Sequence, residues 1–174
     1  MSKWTNITQE YLFSILDYDK NTGFFTWKHR NNVGSAWNTR YAYKIAGGLN
    51  PTDGYWYIAI NKKLHSAHRL AWIYCYGDNP KEHLDHINLD KKDNKIENLR
   101  IASVINNSWN IGKKTNNKLG LKGVSRHSYG HKWQVFIVVN KERNYLGLYD
   151  CPAAASFAYQ IASDIHFGEF ARAF

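Results

Sequence analysis

The sequence predicts an α+β fold in two parts, and three observations carry that reading. Residues 84–111 run strand, loop, strand, helix, while residues 123–167 run as three strand-like pieces followed by one helix. Between them, Lys113-Lys-Thr-Asn-Asn-Lys118 has no apolar residue and reads as a linker, so that residues 1–112 form one part and 119–174 the other. The charge is divided in the same way. Of a net +9, residues 113–149 supply 8 basic side chains against 1 acidic one, whereas residues 1–112 carry 14 against 10.

Each element has a local reason. Thr8 is placed to N-cap a short amphipathic helix reaching Asp17, with Leu12, Ile15 and Leu16 on one face. Asn21-Thr-Gly23 turns the chain into a strand over residues 24–28, the first 50 residues forming a helix–strand lead-in that ends in a polar loop. Residues 54–60 and 64–67 flank Asn61-Lys-Lys63 as a hairpin. Residues 69–76 form a helix that Gly77-Asp-Asn-Pro80 stops, with Leu70, Ala71, Ile73 and Tyr74 toward the core. Residues 84–86 and 99–102 are two short strands around a polar loop, 88–94. Ser103 then caps a helix over 104–111 that Gly112 ends. In the second part, residues 123–127, 133–139 and 144–149 read as strands and about 152–167 as a helix. Pro152 suits its first turn and Gly168 its stop. Ala154, Ala158 and Ala162 form a smooth stripe expected to lie against the sheet.

Composition excludes several classes. No apolar run approaches the ~20 residues of a membrane helix, and Met1-Ser-Lys-Trp-Thr-Asn-Ile-Thr lacks the apolar centre of a signal peptide. Cys75 and Cys151 form neither a disulfide framework nor a zinc knuckle, so a reducing cytoplasm is the expected compartment. A confined basic excess with 16% aromatic residues points to nucleic acid.

The segment from Asp85 to Asn107 carries the chemistry. Phosphodiester hydrolysis needs an activated water, charge neutralisation on the phosphorane and help for the leaving oxygen. His86 is a base of suitable pKa. Asp85 offers a hard oxygen to Mg²⁺, and the amide oxygen of Asn107, 22 residues on, is a second such donor. Asn98, 12 residues after His86, is placed to tie down the loop that positions the histidine. Adjacent strand residues point to opposite faces, so Asp85 and His86 must sit where their strand ends or twists. A calcium loop finds no register through residues 85–97. A four-histidine zinc site from His65, His68, His83 and His86 lacks the cysteine that structural zinc prefers. His68 is more simply packing beside Arg69, with His65 and His83 exposed.

Ala67-His-Arg-Leu-Ala-Trp72, Leu84-Asp-His-Ile-Asn88, Asp93-Asn94, Glu97-Asn-Leu-Arg100 and Asn106-Asn107 resemble the HNH endonucleases of phages and mobile introns. Leu16-Asp-Tyr-Asp19 and Thr22-Gly-Phe-Phe-Thr-Trp27 resemble that phage group's lead-in. The resemblance implies a ββα-metal nuclease domain of homing type, with Asp85 and Asn107 as metal ligands, His86 as general base and Asn98 as the brace of the histidine loop. It implies Mg²⁺, or Mn²⁺ in its place, and a phage-encoded protein acting in the host cytoplasm. The usual loop glycine is Leu89 here, which is expected to alter the turn.

Lys122-Gly-Val-Ser-Arg126, Lys132-Trp-Gln134, Tyr145-Leu-Gly-Leu-Tyr149, Ala153-Ala-Ala155 with Ala158-Tyr159, and His166-Phe-Gly-Glu-Phe-Ala171 resemble the plant APETALA/ethylene-response-factor DNA-binding domain. That implies a three-stranded antiparallel sheet packed on one helix and laid in the major groove of duplex DNA. Strand alternation turns Val124, Val135, Ile137 and Val139 to the helix and Ser125, His127, Gln134, Phe136, Arg143 and Tyr145 to DNA. Arg126, Lys132 and the linker's Lys113 and Lys114 complete the expected DNA-binding set. Guanine-reading arginines are replaced by Ser125, His127 and Val138, and Phe136 and Val138 suit thymine methyls.

The expected function is therefore a metal-dependent DNA endonuclease that needs no small-molecule cofactor or membrane. It would act as a monomer that nicks, or as a dimer that cuts both strands. The competing expectations are a catalytically inactive, sequence-specific DNA-binding or regulatory protein, and a nuclease acting on branched or single-stranded nucleic acid.

Overall fold

The structure is a computed structural model that describes residues 7–103, 117 and 119–171. It divides into two compact units, residues 1–102 and 103–174. The helix expected over 104–111, with Asn107, and the linker's Lys113 and Lys114 lie outside the described residues.

In the first unit, α1 (Gln9–Ile15) leads into β1 (Leu16–Tyr18) and β2 (Phe25–Trp27), followed by α2 (Ser35–Tyr41) and β3 (Gly48–Leu49). Then come β4 (Trp56–Ile60), β5 (Lys63–Ser66), α3 (Ala67–Tyr76), β6 (His83–His86) and β7 (Leu99–Ala102). These strands make three antiparallel sheets, β1-β2, β3-β4-β5 and β6-β7. The class is mixed α and β, as expected. Thr8 caps α1, its hydroxyl accepting from the Tyr11 N–H, and the helix stops at Ile15 because Leu16 is already extended. Leu12, Leu16, Phe25, Ile58 and Leu70 are fully buried and form the centre of the core.

Three local outcomes depart from the sequence reading. The hairpin turn is two residues, with Asn61 and Lys62 both left-handed (φ 50° and 62°), the geometry that matches strand twist. α3 starts at Ala67 rather than Arg69 and ends at left-handed Gly77. The expected polar loop contains α2 and β3. α2 buries no residue, so no apolar period marked it. It is pinned by Asn38, whose side chain accepts from the Arg30 N–H and donates to the Arg30 carbonyl.

The second unit is the sheet β8 (Val124–Arg126), β9 (Trp133–Val139) and β10 (Glu142–Tyr149), in order β10-β9-β8, with α4 (Pro152–Phe167) packed on it. Val124, Val135 and Ile137 are buried in the helix–sheet core and Val139 is half-buried. The alanine stripe needs correcting. Ala154 is exposed and Ala158 half-buried, while the helix buries Ala155, Tyr159, Ala162, Ser163 and Phe167. The contact combines the methyl groups of Ala155 and Ala162 with the rings of Tyr159 and Phe167. Tyr159 lies so close over Gly123 (φ +71°) that a Cβ there would stand 2.2 Å from its ring. Among the described residues, no helix is long and apolar enough to cross a membrane.

Candidate active site

The site grows from the β6–β7 hairpin. Its register pairs Asp85 with Arg100 and His86 with Leu99, so alternation sends Asp85 and His86 to opposite sides of the ladder. His86 is the last residue of β6, and both side chains are buried, at 9% and 4% exposure. Arg100 donates to Asp85 Oδ2 from Nη2 at 3.0 Å and from Nε at 3.2 Å.

The loop after His86 is closed by Asn98. Its Nδ2 donates to Asn88 Oδ1 at 2.9 Å and to the Asp93 carbonyl at 2.8 Å, and its Oδ1 accepts from the Asn88 N–H at 2.9 Å. The Asn98 carbonyl accepts from the Ile87 N–H. One buried amide thus ties both ends of the loop to the 3₁₀ turn Ile96–Asn98 that precedes β7. Leu89, where the family resemblance implies glycine, is left-handed at φ 68°, a conformation that favours glycine.

Three groups around His86 had no role beside it in the sequence reading. Asn94, 1% exposed, sets its Oδ1 3.4 Å from His86 Nε2. With the hydrogen on Nε2, the ring donates to Asn94 and leaves the Nδ1 lone pair free to take a proton. The lead-in holds Asn94 in place. The Tyr18 hydroxyl donates to the Asn94 carbonyl at 2.8 Å, and burial raises the Tyr18 pKa so that it stays a donor. Gly23 (φ +75°) packs so tightly on residues 94–95 that a Cβ would lie 2.6 Å from the Lys95 nitrogen.

His68 is the second group. Its ring meets His86 edge-on, with centroids 5.2 Å apart. It is buried, as the packing reading expects, but against His86, and its Nδ1 has no hydrogen-bond partner. Burial, with the His86 and Arg69 charges, pushes its pKa down to about 3. Tyr55 is the third, 5.2 Å from the His68 ring and 5.9 Å from His86, with Lys91 Nζ 4.6 Å from its own ring. Sequence signals existed for two of them. Asn94 and His68 lie within the quoted motifs, but neither falls at a position whose chemistry the spacing argument needed.

Burial pushes the His86 imidazole below its ordinary pKa, against the hydrogen bond to Asn94 and the Asp85, Asp90 and Asp93 carboxylates. The net direction keeps it neutral near pH 7, the form that accepts a proton.

Of the expected DNA-facing residues, the register puts Ser125, Gln134, Phe136, Arg143 and Tyr145 on the sheet face away from α4. The Arg143 guanidinium sits 3.7 Å from the Phe136 ring, and the Tyr145 ring is 5.2 Å from Phe136. His127, just beyond β8, is held to the Tyr129 carbonyl through Nδ1. One residue, Arg126, is placed otherwise, and Lys132 stays exposed beside an acidic partner. Arg126 pairs with Trp133 in the ladder, on the parity of the helix-facing valines, and its Nη2 lies 3.1 Å from His131 Nδ1. Lys132 is engaged by Asp150 at 3.2 Å.

Residues 65–108 match the HNH endonuclease family. The matched span runs from β5 through the hairpin that carries Asp85, His86 and Asn98, and supports a nuclease acting on DNA. The chain is also similar to Protein 3.8 of Escherichia phage T7. The two are 28% identical over 106 residues, covering 60% of this chain and 87% of that protein. No solved structure matches.

Proposed function

We propose that the protein is a metal-dependent endonuclease of phage homing type that hydrolyses one phosphodiester of duplex DNA per active site. The observation that carries this reading is His86, a neutral buried imidazole at the end of β6, turned by Asn94 and set on a loop closed by Asn98. His86 Nδ1 takes the proton of the attacking water, and Asn94 keeps Nε2 protonated and the ring oriented. His68 and Tyr55 wall the ring and limit its contact with solvent.

The donor chemistry fits a hard cation, Mg²⁺ or Mn²⁺, because Asp85 supplies carboxylate oxygen and no cysteine adjoins it. Among the described residues, no three His, Cys, Asp or Glu side chains group to hold an ion. In this proposal Asp85 would share the cation with the Asn107 amide oxygen and the substrate phosphate, in a ββα-metal arrangement completed by the helix that the sequence predicts over 104–111. When bound, the cation supplies positive charge to the phosphorane and the leaving oxygen. The C-terminal sheet holds duplex DNA through Phe136, Arg143 and Tyr145, with Lys113 and Lys114 adding charge from the linker. A monomer with one such site nicks.

Relaxation of supercoiled plasmid in Mg²⁺, in EDTA, and with His86→Ala tests the proposal. Nicking that needs both the metal and His86 is expected; none at any salt concentration sinks it. One observation favours a second reading, a DNA-binding protein without catalysis: Arg100 already neutralises the carboxylate that a cation would need. The same assay, paired with duplex binding, separates the two.

A further inference from the structure

Two cavities of about 630 and 620 Å³ flank Arg30 and Val33, which line both. These volumes fall within the ~300–1,000 Å³ of small-ligand pockets. One chamber is aromatic and apolar, walled by Trp27, Trp37, Tyr41 and Ile60 with Lys62 at its rim. The other is polar, with His29, Ser35, Asn38 and Thr39. Arg30 lies between them with its guanidinium 3.9 Å from the Trp37 ring and 5.4 Å from the Trp27 ring. Its Nε is buried and makes no hydrogen bond. No acidic residue lines either chamber, and residues 20–52 hold 5 basic side chains and no acidic one. An ordered cation with an unsatisfied donor, fixed on aromatic rings in an acid-free groove, is built for an anion that also presents flat apolar surface.

We infer that this groove is a second nucleic-acid site, which takes an unpaired DNA segment with bases against the aromatic chamber and phosphates on Arg30 and Lys62. Duplex DNA offers a protein only its phosphates and base edges, since its base faces are stacked on one another. Aromatic walls gain from base faces only where the strand is single. The apolar character of the chamber therefore selects a single strand over a duplex.

The groove is tied to the proposed cutting site by β4. Tyr55, just before that strand, packs near His86, and Ile60 at its end lines the groove. They are five residue steps apart along extended chain, about 17 Å, or roughly five base steps of DNA. Resting on the nuclease reading, this places an unpaired flank about five nucleotides from the scissile bond.

The test uses the full-length protein in EDTA, so that nothing is cut. Anisotropy of a labelled single-stranded oligothymidine is compared with that of a duplex of equal length. Arg30→Gln and Trp37→Ala should each weaken single-strand binding ten-fold or more and duplex binding less than three-fold, with circular dichroism unchanged. Arg30→Gln, at a half-exposed position, decides the matter if Trp37→Ala fails to fold. Unchanged single-strand binding in folded Arg30→Gln overturns the inference, as does an equal loss for both substrates. A plasmid assay without nicking, alongside Arg30-dependent single-strand binding, would sink only the nuclease reading.

Discussion

Asp85 and Arg100 face each other across the β6–β7 ladder, and two nitrogens of the guanidinium converge on one carboxylate oxygen, Oδ2. Both side chains are nearly buried, at 10% and 11% exposure. The guanidinium therefore serves as a built-in counter-charge for a residue proposed to hold a cation. Removing one member of such a buried pair costs about 3–5 kcal/mol. Arg100→Met should lower stability by about that amount in denaturant melts without metal. Mg²⁺ should then raise the melting temperature of Arg100→Met more than that of wild type, because the cation replaces the lost charge. In Asp85→Asn the metal effect should vanish. An equal Mg²⁺ response in all three would show that this carboxylate holds no metal.

Leu89 sits at φ 68° in the loop that Asn98 closes. A left-handed non-glycine residue costs roughly 1–2 kcal/mol, and glycine gives back about half of that relief through its freer unfolded chain. Leu89→Gly should therefore be at least as stable as wild type in urea. Leu89→Ile, β-branched and worse in that conformation, should lose about 1 kcal/mol or more. The reverse order would mean that the side-chain contacts of Leu89 outweigh its backbone strain.

The sequence made legible those parts of the fold whose cause is local. Thr8 as a cap, Gly77 as a stop, the polar break between the hairpin strands near residue 61 and the alternating valines of β9 each act within a few residues. The loop from Asn88 to Asn94 and its closing residue Asn98 were legible too, because polar residues that bond to nearby backbone show their role in their spacing. What escaped depends on distant packing. His68 and Tyr55 reach His86 only because β5, α3 and the start of β4 come together in three dimensions. α2 is held by Asn38 to a backbone eight residues upstream and by Trp37 packed on Trp27, and in α4 Tyr159 meets the bare backbone of Gly123. No period or propensity marks such contacts.

His68 gives the pH dependence of stability a defined sign. Its folded pKa is about 3, against ~6.5 in an unfolded chain. Between those values the unfolded chain binds one proton more, so stability rises with pH. It is complete above about pH 6.5 and drains at about 1.4 kcal/mol per pH unit as pH falls toward 3. His68→Phe keeps a ring and removes both the titration and the unpartnered Nδ1. It should lie within about 1 kcal/mol of wild type at pH 7 and lose stability more shallowly under acid. Parallel acid slopes from urea melts at pH 5 and 7 would exclude His68 as their source.

Phe136 supplies the last expectation, because it joins the two features of the outer β9–β10 face. Its ring carries the Arg143 guanidinium at 3.7 Å and neighbours Tyr145 at 5.2 Å. Stacking on the ring spares Arg143 the entropy of being fixed on binding, so the guanidinium meets a phosphate or base edge already oriented. Phe136→Ala should therefore weaken duplex binding although the charge remains. Arg143→Ala should weaken it further and make it less salt-sensitive, since one fewer phosphate is neutralised. Plotted as log affinity against log salt, Phe136→Ala should run parallel to wild type and displaced downward, while Arg143→Ala should flatten the line by about 0.9. Neither change reaches the core around Ile137 and Tyr159, so thermal melts should be unmoved. If both variants bind duplex as wild type does, DNA lies on some other surface.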